Sequence, residues 1–156
     1  MQTLEQIAYD AGLRALADQE SLVSGIRQRT GTIVAAHALV ASFLGGATLQ
    51  SRGLSALCWI ALTALISGLV VAAVLLGPWR LRFAVDARTI YDMLYAQATA
   101  EAPTGTLGWL AEAGFIHQSL HGKNATRVHR MSRLSGLLAT LMVSQILAWL
   151  AALLVG

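Results

Sequence analysis

Residues 54–76, LSALCWIALTALISGLVVAAVLL, decide the fold, because this stretch holds nothing more polar than serine and threonine. A helix of that length, rising ~1.5 Å per residue, covers the roughly 30 Å hydrocarbon core of a bilayer. Outward from it, no Asp, Glu, Lys or Arg occurs between Arg29 and Arg52, between Arg52 and Arg80, or after Arg133. Each of these gaps exceeds the roughly 20 residues that a spanning helix needs. The pattern predicts an all-α membrane protein with three transmembrane helices and a small cytoplasmic helical layer. Residues 1–29 read as a cytoplasmic amphipathic helix and 30–76 as a transmembrane hairpin with spans at 30–49 and 54–76. A cytoplasmic helical loop at 77–133 and a third span at 134–156 (core 134–155) complete it.

Composition agrees. The 156 residues are 56% hydrophobic and 12% charged, against roughly 25% charged in soluble domains. Three helices apolar on every side cannot be wrapped by the few residues left, so lipid is the expected solvent. The first 29 residues carry Glu5, Asp10, Asp18 and Glu20, too polar for the apolar core of a signal peptide. Cys58 is the single cysteine, which excludes an internal disulfide.

Lys/Arg bias predicts orientation. Of the eleven basic residues, Arg14, Arg27 and Arg29 precede the first span, and Arg80, Arg82, Arg88, Lys123, Arg127, Arg130 and Arg133 lie between the second and third. Arg52 alone falls in the turn of the hairpin. The expectation is a multi-pass protein of an inner (plasma) membrane with a cytoplasmic N-terminus and an external C-terminus. Arg27, Arg29, Arg80, Arg82, Arg127, Arg130 and Arg133 are then membrane-surface cations facing anionic lipid. This accounts for the net charge of +3 without a nucleic-acid partner. Trp59 and Trp149 are expected in an outer aromatic belt and Trp79 at the inner boundary.

Outside the spans, Thr3 and Gln6 have capping-box spacing. From there Leu4, Ile7, Ala8, Ala11, Ala15, Leu22, Val23 and Ile26 recur at helical spacing, predicting a helix to about Gln28. A helix at 85–100, a break at 102–105 and a last helix starting near Thr106 and running into the third span are expected in the loop.

Within the spans, His37 is an intramembrane ionisable group, a functional hypothesis by default. An interhelical hydrogen bond, with Ser67 and Thr140 at similar depth, is favoured over a proton or ion pathway. Gln145 is expected to point inward and bond Ser42 or a second copy of itself. Ser132, Gly136, Thr140, Ser144, Ala148 and Ala152 recur at every fourth position of the third span, as do Ala38, Ser42 and Gly46 in the first. Gly68 sits among small residues of the second. Such faces let membrane helices approach closely, within one chain or between copies. His117 and His121 are four apart, but the H-E-x-x-H pattern of a zinc site is absent, so solvated or headgroup-facing histidines are expected. No phosphate loop, nucleophile–base pair or carboxylate pair suggests catalysis. Neither a cofactor nor a metal is expected.

Taken together, the arginine-flanked approach to the first span (Ile26-Arg27-Gln28-Arg29-Thr30-Gly31), the two-span hairpin, Gly77-Pro78-Trp79-Arg80 after it and a helix with Lys123-Asn124 leading into a last span form a pattern. The chain resembles the small bacterial membrane effectors of nucleotide-signalled phage defence, namely the Pycsar-type transmembrane effector domain and the related SLATT-type modules. Arg27-Gln28-Arg29-Thr30 stands where the Pycsar-type domain usually has an Asp-x-Lys-Ala-like stretch. The resemblance implies a homo-oligomer that impairs membrane integrity when triggered, with a nucleotide second messenger as trigger. A passive membrane anchor or accessory subunit, and an ion conduit through His37, are the alternatives.

Overall fold

The computed structural model describes residues 3–52, 54–85, 88–90, 92 and 106–155. They are mostly helical, without a strand among them. Helix α1 spans Leu4–Val40, a π-helical segment follows at Ala41–Gly45, and α2 spans Gly46–Arg52. Helix α3 is Ala56–Leu76 and α4 is Thr106–Val155. Three stretches, Leu4–Ser51, Ala56–Leu76 and Gly108–Val155, are long and apolar enough to cross a membrane. Most of the helix expected at 85–100, and the break at 102–105, lie outside the described residues.

The helix ends follow local chemistry. The Thr3 N–H donates to Gln6 Oε1 at 3.1 Å and the Gln6 N–H to Thr3 Oγ1 at 3.3 Å. This is the reciprocal capping box, two otherwise orphaned donors satisfied at once. No break follows Gln28; α1 continues through Arg29 and Thr30 into the apolar segment. Ser55, extended at φ −109° and ψ 169°, caps α3 by accepting from the Cys58 N–H. Gly77 leaves the helix at ψ 171°, its N–H still bonded to the Ala73 carbonyl at 3.0 Å, and Pro78 prevents continuation.

The chain divides into two compact units: Met1–Val23 with Trp79–His129, and Ser24–Pro78 with Arg130–Gly156. The second unit is packed inside out relative to a soluble bundle. Thr30, His37, Thr48 and Gln145 are buried, whereas Phe43, Ile60, Ile66, Val70, Leu147 and Leu154 point outward. In water that exchange is costly twice over; in hydrocarbon the outward apolar side chains need no cover and the polar ones need each other. Inside this unit burial recurs at every seventh residue: Thr30 and His37 on α1, Ala61, Gly68 and Leu75 on α3, Met131, Leu138, Gln145 and Ala152 on α4. A seven-residue repeat is the period of helices wound in a left-handed sense.

The every-fourth-residue stripe of α4 is therefore not the seam. Ser132, Gly136, Thr140 and Ser144 are exposed, and only Ala148 and Ala152 are buried. Steps of four residues advance the face by about 40° each time, so such a stripe drifts off any one neighbour while a heptad holds it. Trp149 departs from the aromatic-belt expectation. It is 2% exposed and packs in a cluster with Cys58, Ala61, Ala148 and Ala152, small residues that leave room for the indole, whereas Trp59 does point outward.

In the first unit the buried face of α1 is Gly12, Leu16, Gln19 and Val23. Leu4, Ile7 and Leu22, expected on that face, are exposed. What rotates the face is a close crossing at Gly12 and Gly114. A Cβ on Gly12 would lie 2.5 Å from the Gly114 carbonyl oxygen, and one on Gly114 would lie 2.8 Å from the Ala8 oxygen. Main chain lies against main chain there, an approach that side chains forbid.

Candidate functional site

The polar centre of the second unit is built by α1, α3 and α4 around His37. The heptad brings His37 and Gln145 onto facing positions, and Gly68 supplies a gap on α3. The His37 Nδ1–H donates to Gln145 Oε1. The Gln145 Nε2–H donates back to the His37 carbonyl at 3.4 Å. Both residues are buried, at 1% and 0% exposure. One amide thus serves a ring and its own backbone, a two-point bond that fixes χ angles and helix register together. With Nδ1 as donor, the other nitrogen faces α3. A Cβ added to Gly68 would stand 3.1 Å from Nε2, and Nε2 has no hydrogen-bond partner among the described residues. The π-helical segment begins one turn beyond, at Ala41.

This pairing replaces those expected from sequence. Ser42, proposed for Gln145, is exposed, because it lies five residues past His37 and about 140° around the helix. Thr140, considered for His37, is five residues before Gln145 and exposed for the same reason; its hydroxyl donates to the Gly136 carbonyl at 3.1 Å. Of the Gly45-Gly46 pair, Gly45 is the packing glycine, its absent Cβ 3.1 Å from Trp149 Cζ2, while Gly46 faces nothing within 4 Å.

The second cluster lies in the first unit, where the segment after Pro78 is pinned to α4. Buried Asn124 uses its whole amide: Nδ2–H donates to the Arg82 carbonyl at 2.7 Å, and Oδ1 accepts from the Arg82 N–H at 3.5 Å. One turn on, Arg127 donates to the Arg80 carbonyl at 2.6 Å. Two α4 side chains thereby supply main-chain partners to this non-helical segment. All seven arginines expected at the membrane surface, Arg27, Arg29, Arg80, Arg82, Arg127, Arg130 and Arg133, are exposed. Truncating Asn124 to alanine removes both part-buried bonds to the Arg82 main chain, at about 1 kcal/mol each. Limited trypsin digestion is expected to cut after Arg80 and Arg82 faster in Asn124→Ala than in the parent; an equal rate would show that the clamp holds nothing.

The histidine pair divides. His117 is 5% exposed, edge-on to Tyr9 with ring centroids 6.0 Å apart at 67°, so it is a packing residue and not a solvated one. It occupies the seam with Asn124, seven residues on. His121 contributes its carbonyl, which accepts from Gln19 Nε2 at 3.3 Å. Among the described residues no group of three His, Cys, Asp or Glu side chains converges as a metal site would require. Sequence reasoning misses Asn124, Gln19 and the Gly12–Gly114 crossing. The signal for the first two is there, since a polar side chain at heptad spacing along a helix is a seam residue.

Compared with known proteins, the chain matches no family model, no curated protein and no solved structure. The fold and the sites define an all-helical membrane protein with a hydrogen-bonded intramembrane layer.

Proposed function

We propose that this chain is a self-associating inner-membrane protein whose assembly impairs the membrane in response to a trigger, as its resemblance to small defence effectors suggests. The observation that carries the proposal is the outward stripe Ser132, Gly136, Thr140 and Ser144 on α4. A Cβ on Gly136 would meet nothing within 4 Å, so inside one chain this glycine costs helix stability, about 1 kcal/mol relative to alanine, with no packing return. The hydroxyls add no cost in lipid, because Thr140 and Ser144 each donate to the carbonyl four residues back, at 3.1 and 3.0 Å. A flat, satisfied, small-residue face is what lets two membrane helices approach closely. The bias of basic residues supports an N-terminus and 77–133 segment on the cytoplasmic side.

The test is oligomeric state in mild detergent by light scattering after gel filtration. The parent is expected to run as an oligomer and the variant carrying Gly136→Ile and Ser144→Ile as a monomer. A monomeric parent, or a variant of unchanged size, rejects self-association through this face. Expression with the trigger is expected to depolarise cells, and a reporter fused after Gly156 to be active outside the cytoplasm.

A conduit through His37 within a single chain finds less support. Leu75, Met131 and Leu138 are each fully buried on the same seam, and the layer is occupied by the His37–Gln145 bond. An accessory-subunit role is favoured by one feature, the exposure of Leu4, Ile7, Leu22 and Phe115 in the first unit. A partner that co-purifies through those residues would select it.

A further inference from the structure

The geometry points to a binding site in the first unit for a phosphate group carried on a small apolar body, held by Arg82 and Lys123. A half-open cavity of about 350 Å³ lies between the segment after Pro78 and α4. That volume is at the lower end of small-molecule sites, roughly 300–1,000 Å³. Its polar lining consists of Arg82, Lys123, Thr89 and Ser119, and its apolar lining includes Ile116 and Leu120. No carboxylate among the described residues lines it. Arg and Lys only donate hydrogen bonds, and a hydroxyl has one to give; that of Ser119 goes to the Ile116 carbonyl at 2.9 Å, which leaves the Thr89 hydroxyl. The lining is therefore rich in donors and wants a ligand rich in acceptors. Two cations and the Thr89 hydroxyl exceed what the two oxygens of a carboxylate use and suit the several oxygens and higher charge of a phosphate ester. Ile116 and Leu120 sit one turn apart on α4 and offer the remainder of the ligand an apolar wall.

The cavity is built rather than incidental. Arg82 is the residue whose N–H and carbonyl are both taken by buried Asn124, and Asn124 follows Lys123 directly. The amide that anchors the Arg82 backbone is thus next in sequence to the second cation, and both charged residues line the one cavity. Anchored backbones of this kind reduce the ordering cost of binding. The site is independent of self-association and stands or falls by itself.

A phosphate on an apolar body is found on a lipid headgroup or on a soluble ester, and two arms separate them. In the first, the full-length chain in nanodiscs of phosphatidylcholine alone is titrated with phenyl phosphate and followed by phosphorus NMR line broadening. In the second, phosphatidic acid is included in the nanodiscs, and the lipid retained per chain is counted by native mass spectrometry. Saturable binding of one ligand per chain is expected in one arm, which names the source. Lys123→Glu removes a cation, and Leu120→Trp fills the cavity without changing charge; each is expected to weaken that binding about tenfold or more. Arg14→Glu, the same charge change at an exposed residue of the first unit outside the cavity, is expected to leave it unchanged. Circular dichroism and thermal melting confirm that each variant is folded. The assignment is overturned by absence of saturable binding in both arms, by folded Lys123→Glu and Leu120→Trp proteins that bind as the parent does, or by an equal loss in Arg14→Glu, which would mean diffuse surface attraction.

Discussion

Replacing Gly114 with valine is expected to pry the α1 and α4 segments of the first unit apart and to lower stability by about 3 kcal/mol or more. The reason is geometric. The first added carbon would already stand 2.8 Å from the Ala8 carbonyl oxygen and 2.9 Å from the Tyr9 Cα. Both are main-chain atoms, which cannot swing aside as a side-chain tip can. Relief requires the helices to separate, which breaks the packing of Tyr9 against His117 and exposes the seam at Leu16. Gly12→Val should act alike, because its Cβ would lie 2.5 Å from the Gly114 oxygen. Gly122→Ala is the matched control: nothing lies within 4 Å of its Cβ, so the better helix former is expected to be neutral or to stabilise by up to about 1 kcal/mol. Unfolding in mixed micelles measures the stabilities, and spin labels on exposed sites of the two helices measure the separation. Equal stability of Gly114→Val and the parent would mean the crossing is not this close.

The second large effect is at the intramembrane layer. Gln145→Leu leaves the His37 Nδ1–H and the His37 carbonyl without the partner amide, in surroundings that offer no water. A loss of about 1–3 kcal/mol is expected. His37→Leu alone leaves the Gln145 amide in the same position. The double replacement removes the ring and the amide together, leaving only the residue 37 carbonyl of the groups involved, and puts side chains of similar bulk at the seam beside Gly68, so most of the loss should return. The expected coupling is about 1–2 kcal/mol, near the upper end for hydrogen bonds between membrane helices. Reversible unfolding of the four proteins gives the cycle directly. Strict additivity of the two single changes would mean that the His37–Gln145 bond contributes nothing to the fold.

Much of the architecture is legible in the residues themselves. Gly77-Pro78, with arginines following at once, marks where α3 ends. Thr3 and Gln6 announce the start of α1, and the capping box is formed. The identity of Gly68 as a packing residue is also readable. The partners are not. Depth in the span pairs Gln145 with Ser42, but depth says nothing of the angle around the helix. The same reasoning sets His37 among hydroxyls, whereas its partner is an amide. Asn124 stands seven residues after His117, but that spacing does not show that it holds the chain after Pro78.

Hydropathy and charge are properties of each residue against its solvent, so the sequence by itself determined that three long helices are suited to hydrocarbon, and that the second of them stops at Gly77-Pro78. Which faces meet is a property of pairs. In apolar spans nearly every face is apolar, so no amphipathic contrast points to the neighbour. Only the tertiary structure, through the Gly12–Gly114 approach, the seven-residue seam and the His37–Gln145 bond, decided which faces turn inward and which small residues are left on the outside.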